Sequence, residues 1–555
     1  MKIKNHRAGN RCVFFTLRLK IITLFPLVYS IPLYAIEKQT FQIPMTDGVK
    51  LATDVYLPSK QGSFPVILVR TPYSKINMMP LDQVDRGYAV VAQDMRGRFE
   101  SEGENLPFIA CGWEIYQDGV DTLTWIYNQT WCNGKIGTMG PSAMGITQNL
   151  LAGAQPKHLD CQYILVAATS LYHHAGYVGG ALRKSQIEDW LKGNRFDEQA
   201  IKLYREHPTY DEFWHKYDSM TKHSVMTAPA VHFGGWFDTF SLGTVESFRG
   251  RQSQGAPGAR GKQKLVMGPW AHAGYHNQGK VGDLQFANSK PPQKYSAENW
   301  LDHYLKGIDK GVEQLPAVAY YVMGDTQANN APGREWRYAD QWPIPSHKTA
   351  YYLNPQGYMS VEKPRLRNAK KSSAVYTFDP KNPCPTAGGC NLVLPPGPKN
   401  QNQIEKRKDV ILFNSLVLMN PIEVTGHIQA ILYVESSAVD TDLSVRFCDV
   451  YPDGKSYLMA EGMLRLRYRE GFEKAKLLKP GKIYKVKVNL WPTSVVINKG
   501  HRMRITITSS NYPRFDLNPG SGKGAHEAKK LVKQTNRIHC SNKYPSRILF
   551  PIVDH

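Results

Sequence analysis

The stretch Lys135 to Gln148, K-I-G-T-M-G-P-S-A-M-G-I-T-Q, reads as a strand that turns sharply at Ser142 and runs on as a helix. A serine at that point is either an ordinary helix N-cap, for which serine is a favoured residue, or a hydroxyl held out on a strained turn for chemistry. The usual nucleophile pattern is G-x-S-x-G. Here Met144 takes the second glycine's place and Gly145 follows one residue late. Gly140 and Ala143 keep the flanks of Ser142 small, and Gly145 offers close helix–strand packing from inside the helix, where glycine otherwise costs about 1 kcal/mol relative to alanine. Alone, the motif leaves both readings open.

Around it, residues 40–335 alternate strand-like and helix-like runs. The strand runs are F-P-V-I-L-V-R-T (64–71), Y-A-V-V-A-Q-D (88–94), K-I-G-T-M (135–139), Y-I-L-V-A-A-T (163–169), A-P-A-V-H-F-G-G (228–235) and K-L-V-M-G-P (264–269). Their near-continuous apolar character suits a sheet covered on both faces. In S-A-E-N-W-L-D-H-Y-L-K-G, Ala297, Trp300, Leu301, Tyr304 and Leu305 share one helical face, and Gly307 suits the stop. The order predicts a doubly wound, mostly parallel sheet. Between 170 and 226 the strand rhythm lapses, and S-Q-I-E-D-W-L-K and E-Q-A-I-K-L-Y-R-E predict short helices inserted over the carboxyl edge of the sheet. After 345 the period falls to two. Ile428, Ala430, Leu432 and Val434 share one face, Y-K-V-K-V-N-L alternates, and Met503, Ile505 and Ile507 oppose Arg502, Arg504 and Thr506. This texture predicts a C-terminal all-β jelly-roll sandwich. The expected division is a leader over 1–35, a sheet domain in two parts (36–169 and 227–340), a helical cap (170–226) and the β-sandwich (345–555).

A chain of 555 residues exceeds one ordinary core, and 42% hydrophobic with 11% aromatic residues excludes a disordered class. Lys2, Lys4, Arg7, Arg11, Arg18 and Lys20, with no acid, precede I-I-T-L-F-P-L-V-Y-S-I-P-L-Y-A. This reads as a secretory signal cleaved after Ala35; the run is short and twice broken by proline for a spanning helix, and an uncleaved anchor is the alternative. Losing six basic residues takes the formal charge from +22 to 22 − 6 = +16. The basic residues are dispersed, with K-R-K at 406–408 the one tight run, so a solvated surface is expected rather than nucleic-acid binding. Seven of eight cysteines follow the leader; no pair has C-x-x-C metal spacing, and no cofactor is called for. Cys384 and Cys390, in N-P-C-P-T-A-G-G-C-N, are close enough in a turn-rich loop to bridge, and Cys448 is expected to be a buried small hydrophobe.

Two later segments weigh on Ser142. A serine hydroxyl needs a histidine to take its proton, and that histidine needs a carboxylate to fix its tautomer. G-G-W-F-D places Asp238 at the carboxyl end of one strand, and L-V-M-G-P-W-A-H places His272 just beyond the next. The order Ser, acid, His is that of an α/β-hydrolase. His173 and His174 fall in the insertion, His303 rides a helix and His276 comes late, so they are weaker candidates.

These segments resemble the cocaine esterase/X-Pro dipeptidyl-peptidase superfamily, the CocE/NonD hydrolases, to which glutaryl-7-ACA acylases are related. The resemblance rests on G-P-S-A-M-G-I-T-Q with its G-x-S-x-x-G spacing, G-G-W-F-D and M-G-P-W-A-H. It extends through R-T-P-Y-S-K, D-M-R-G-R-F-E-S-E-G, T-W-C-N-G-K-I-G and G-D-L-Q-F, then C-D-V-Y-P-D-G, L-W-P-T and S-S-N-Y-P-R-F-D-L-N-P, covering nearly all of 38–553. It implies that Ser142 attacks an acyl carbonyl, His272 acts as base and then acid, and Asp238 orients His272. It also implies an oxyanion held by the Tyr73 hydroxyl and the Ala143 backbone N–H, with Phe240 in an acyl pocket. Trp236 and Trp270 are expected to be structural. Relatives that hydrolyse α-amino acid esters carry acids just after the triad aspartate; here Thr239, Phe240, Ser241 and Leu242 follow.

The expectation is therefore a secreted or periplasmic, metal-independent serine hydrolase acting on a small-molecule ester or amide or a short peptide. It has no nucleic-acid partner and no stable membrane insertion after cleavage; self-association is left open. An X-Pro dipeptidyl-peptidase is the alternative within the class, and a non-catalytic glycan- or surface-binding envelope protein is the alternative outside it.

Overall fold

The computed structural model describes residues 36–77, 79–272, 274–365 and 372–554. The leader expected over 1–35 lies outside them.

Ten strands form the first sheet: β1 (Glu37–Pro44), β2 (Lys50–Leu57), β3 (Phe64–Thr71), β4 (Ala89–Asp94), β5 (Cys132–Pro141), β6 (Cys161–Leu165), β7 (Ala230–Phe237), β8 (Lys264–Ala271), β9 (Val318–Val322) and β10 (Glu335–Ala339). Their order is β1-β2-β4-β3-β5-β6-β7-β8-β9-β10. Neighbours from β4 through β9 are parallel, while β1–β2, β2–β4 and β9–β10 are antiparallel. The strand order reverses around β3 and β4, which makes this the doubly wound α/β-hydrolase sheet.

Helices α1 (Asp118–Tyr127), α2 (Ala143–Gly153), α3 (Lys184–Gly193), α4 (Glu198–Glu206), α5 (Ser241–Gln254) and α6 (Ala297–Lys306) accompany it. Strand β5 shows why both faces are covered. At Gly137 an added Cβ would lie 3.0 Å from Leu305 of α6, whereas the hydroxyl of the next residue, Thr138, donates to Gln148 of α2 at 2.9 Å. Alternate residues of one strand thus meet helices on opposite faces. Helix α6 follows its sequence pattern: the Ser296 hydroxyl accepts from Asn299 N–H, Trp300, Leu301 and Leu305 are buried, and Gly307 closes the helix in the left-handed region.

The residues between β6 and β7 carry α3 and α4 with shorter turns at Leu171–Gly176, Glu212–His215 and Ser219–Val225. They bury an aromatic cluster in which Tyr172, Tyr177, Tyr204 and Trp214 pack with ring centroids 4.9–6.2 Å apart.

The C-terminal part is antiparallel. Strands β11 (His347–Leu353), β12 (Ser373–Phe378), β13 (Ile411–Asn414), β14 (Ile422–Ser436), β15 (Asp442–Val450), β16 (Ser456–Arg465), β17 (Tyr484–Ile497), β18 (Arg502–Thr508), β19 (Gln534–His539) and β20 (Arg547–Val553) form two sheets. One is built on β14, which pairs with β17 along its length and with β19 and β20 on its other side; the second runs β13-β18-β15-β16. Their inner faces form one core, in which Ile428, Leu432, Met503, Ile505 and Ile507 are completely buried.

One expectation is corrected. Cys384 and Cys390 are both buried and both free; the other five described cysteines are free as well. They point into different clusters: Cys384 packs with Ile404 and Val410 and its sulfur faces Arg446, while Cys390 packs with Met463 and Trp491 and its thiol donates to Trp236 O. Nearness in sequence is insufficient when side chains diverge. Cys448 is buried in β15 as expected.

Candidate active site

The parallel strands β5, β7 and β8 end on one edge of the sheet, and the residues that follow them carry Ser142, Asp238 and His272.

Ser142 occupies the single step between β5 and α2 with φ 61° and ψ −124°, a conformation that L-residues rarely adopt. Its backbone is held on both sides: its N–H donates to Leu165 O at 2.9 Å, and its C=O accepts from Gly145 and Ile146 N–H, each at 2.9 Å. The side chain makes no capping bond to the helix. Ser296, an ordinary cap, does bond its helix, so the Ser142 hydroxyl is left for another partner.

The glycines explain the tightness of this turn. Gly140 has φ 145°, and a Cβ there would sit 2.6 Å from Met144 Cβ; at Gly145 a Cβ would sit 2.6 Å from Ala167 Cβ and 3.0 Å from Leu165 O. The late glycine therefore lets α2 lie against the loop after β6.

Asp238 is fully buried, and both its oxygens are engaged: Oδ1 accepts Phe240 N–H at 2.7 Å and Oδ2 lies 2.6 Å from His272 Nδ1. The carboxylate thus holds the proton on Nδ1 and leaves Nε2 as the basic nitrogen. The Phe240 ring meets the His272 ring edge-on, with centroids 5.7 Å apart, and also lines the cavity at Ser142.

Tyr73 lies in the loop after β3, its hydroxyl against the Ser142 side chain and the Ala143 backbone N–H. Burial raises its pKa, against the hydrogen bonds from Ser142, Trp190 and Ala143, so the phenol keeps its proton. The five residues Ser142, Ala143, Asp238, His272 and Tyr73 can together supply a nucleophile, a base, an orienting carboxylate and two donors.

The Ser142 cavity is small, about 20 Å³, and mainly apolar; Ile146, Ile187, Trp190, Phe240 and Leu392 are among its lining residues. Leu392 comes from the C-terminal part, more than 100 residues beyond His272 in the chain, and no local pattern marks it. A larger cavity of about 760 Å³, lined by Met139, Phe233, Tyr275 and His276 among others, contains none of the triad. Of the weaker histidine candidates, His174 is buried with Nδ1 accepting Ser170 N–H, and His303 lies on α6. Among the described residues, no cluster of His, Cys, Asp or Glu could hold a metal, and no helix is long and apolar enough to cross a membrane. Trp236 donates to Tyr321 O and Trp270 stacks on Phe233, both as packing residues.

Residues 47–200 and 193–274 match the model of the X-Pro dipeptidyl-peptidase (S15 family), and residues 310–549 match that of the X-Pro dipeptidyl-peptidase C-terminal non-catalytic domain. The cocaine esterase of Rhodococcus sp. (strain MB1 Bresler) is 31% identical, over 92% of this chain and 97% of its own. The chain belongs to the CocE/NonD hydrolase family. Two solved structures share the hydrolase's fold: an aminopeptidase from a marine sediment Thaumarchaeota archaeon (TM-score 0.80, 24% identity, 94% and 97% of the two chains) and an α-amino acid ester hydrolase (TM-score 0.79, 23%, 96% and 100%). In this chain the residues that follow Asp238 are packed against a cation. There, buried Arg183 donates to Thr239 O at 2.9 Å and bonds Thr239 Oγ1, so a guanidinium is packed beside this segment.

Proposed function

We propose that this hydrolase cleaves an ester or amide of a small apolar acyl group through an acyl-enzyme on Ser142. The observation that carries the reading is the Ser142 turn: the hydroxyl is withheld from helix capping and set against the Tyr73 hydroxyl and the Ala143 N–H. His272 Nε2 takes the Ser142 proton as Oγ attacks the carbonyl carbon, and Asp238 stabilises the imidazolium that forms. The carbonyl oxygen, now negative, receives hydrogen bonds from Tyr73 and Ala143. His272 returns the proton to the leaving alcohol or amine. Water then repeats the cycle on the acyl-enzyme and frees the acid.

The apolar lining at Ser142 supports an apolar acyl group. Among the described residues no carboxylate lines that cavity, and Arg183 stands beside Thr239, so the site offers a substrate ammonium no anionic partner there. X-Pro peptides, which the matched family description brings in, are the second reading, and this charge arrangement counts against them. The basic and then apolar leader supports export from the cytoplasm, which amino-terminal sequencing of the mature protein would test; cleavage after Ala35 gives Ile36 as first residue.

A fluorophosphonate probe tests the nucleophile. Native protein labels at Ser142 and Ser142→Ala does not; an unlabelled native protein, or hydrolysis of p-nitrophenyl acetate by Ser142→Ala at the native rate, overturns the reading. Turnover across acyl esters, acyl amides and X-Pro dipeptide amides then ranks the substrates.

A further inference from the structure

We infer that Trp190 and Arg98 form a two-point clamp between the cap helix α3 and the Tyr73 loop, and that this clamp aims the Tyr73 hydroxyl at the oxyanion. The inference rests on the reading of Tyr73 as an oxyanion donor.

The first point of the clamp joins side chains. Trp190 Nε1–H donates to the Tyr73 hydroxyl oxygen at 3.1 Å. An indole N–H can only donate, and a phenol has one proton to give. With Trp190 on a lone pair, the Tyr73 proton must point elsewhere, and the polar groups beside it are Ser142 and the Ala143 N–H. The amide is itself a donor. Both protons therefore face the place where an oxyanion forms above Ser142. A donor on the phenol oxygen also polarises its O–H and strengthens the bond it gives.

The second point joins backbones. Arg98 is buried and, among the described residues, makes no hydrogen bond to a carboxylate. Its Nε donates to Pro72 O at 3.1 Å, immediately before Tyr73. Its two terminal nitrogens donate to Asn194 O at 2.6 Å, Arg195 O at 3.2 Å and Asn105 Oδ1 at 2.7 Å. Asn194 caps the C-terminus of α3. Burial lowers the Arg98 pKa, with Asp94 and Asp197 opposing at longer range. A desolvated guanidinium with ligands from three chain segments acts as a staple, and a lysine could not span them at once.

The two points are coupled. Arg98 lies over the Phe196 ring at 4.2 Å, Phe196 packs on Trp190 at 5.1 Å, and Trp190 lies parallel to Phe108 at 6.1 Å. Trp190 and Arg98 are thus positioning residues that act through Tyr73. The cap does more than cover the site: with α3 in place, the second oxyanion donor is assembled. This also assigns work to the segment D-M-R-G-R, which the catalytic reading leaves unused.

The test is a double-mutant cycle with p-nitrophenyl acetate, whose acetyl group makes the least demand on the acyl pocket. Trp190→Phe keeps a ring but removes the donor; Arg98→Lys keeps the charge but not the span. With Tyr73 present, each should lower kcat by about 3- to 10-fold, the loss of one or two oriented hydrogen bonds, with KM within about twofold. In a Tyr73→Phe background each should cost nothing further in kcat. An equal loss in both backgrounds, or none with Tyr73 present, overturns the clamp and leaves the oxyanion reading standing. A Tyr73→Phe protein with native kcat overturns the oxyanion reading and the clamp with it. The variants remove separate contacts, so if one fails to fold the cycle on the other decides.

Discussion

Replacing Gly145 with alanine isolates the contribution of the late glycine. The substitution should favour helix α2 by about 1 kcal/mol on propensity alone. The structure opposes it. The new Cβ would lie 2.6 Å from Ala167 Cβ, 3.0 Å from Leu165 O and 3.2 Å from Gly140 O, where carbon atoms normally stand about 3.5–4.0 Å apart. None of these atoms is the end of a flexible side chain, so helix and loop must separate by about 1 Å. Overpacking of this kind costs about 1–3 kcal/mol. Leu165 O is also the acceptor for Ser142 N–H, so the displacement weakens a bond that fixes the serine, adding about 1 kcal/mol. The balance is a loss of about 1–3 kcal/mol. Function should suffer more than stability, because a shift of about 1 Å in an aligned nucleophile can cost about 100-fold. The assay is thermal melting alongside p-nitrophenyl acetate turnover and the rate of fluorophosphonate labelling. Gly193→Ala, at the end of α3 with no atom within 4 Å of the new Cβ, is the control and should be neutral or slightly stabilising. If Gly145→Ala melts no lower than the native protein and turns over within twofold of it, the steric account of the motif is wrong.

Two further outcomes follow from other parts of the molecule. Tyr73→Phe should lower kcat by about 10²–10³-fold with only a modest fall in melting temperature, since it removes one oxyanion donor and leaves Trp190 Nε1–H without its acceptor; native turnover would take Tyr73 out of the mechanism. Stability should fall as pH rises through neutrality because of His501, which lies 2.8 Å from Asp449 and 3.3 Å from Asp325, between the C-terminal part and the loop after β9. Burial opposes charge on His501, but the two carboxylates raise its pKa above 6.5, while burial raises Asp449 to about 6 against the bond to His501. In both cases the folded chain holds protons that the unfolded chain releases. The His501 contribution is complete below pH 6.5 and is lost as pH rises through the higher folded value; the Asp449 contribution has the same sign from pH 3.8 through about 6. Melting curves from pH 5 to 9 should converge for native protein and His501→Gln at the alkaline end, and curves that stay parallel would show that His501 does not carry the effect.

The fold was legible where burial is two-sided or strictly alternating. Continuous apolar runs marked β3 and β8, and period-two alternation marked β14, β17 and β18, because each pattern is imposed by how many faces of the strand are covered. The strand-end placement of Ser142, Asp238 and His272 was legible for a related reason: chain order and residue chemistry can be read together there. Tyr73 needed the family resemblance, since a tyrosine after a strand has no signature of its own. Trp190 and Arg98 were invisible as partners of Tyr73 because they depend on how the cap packs, and Leu392 because it arrives from a distant part of the chain. The Cys384–Cys390 pairing failed for the same reason: spacing along the chain fixed neither side-chain direction.

What brings Leu392 to Ser142 can be traced to one buried cation. Arg183, at the start of α3, donates to His174 O of the cap at 2.8 Å, to Thr239 O at 2.9 Å and to Cys390 O at 3.2 Å. These acceptors belong to the cap, to the turn that carries Asp238, and to the C-terminal loop two residues before Leu392. Burial pushes its pKa down to about 9 and nearby Arg514 pushes the same way, so the position is electrostatically costly for a guanidinium. Five donors in a fixed fork, able to tie three backbone segments at one point, are what offset that cost. The matched C-terminal family is described as non-catalytic, and none of the triad lies in it. Through Arg183 it nevertheless sets one wall of the acyl cavity and braces the loop behind Asp238. Under the proposed mechanism, selectivity for the acyl group is therefore shared by all three parts of the chain, while the proton transfers remain with the residues on the sheet edge.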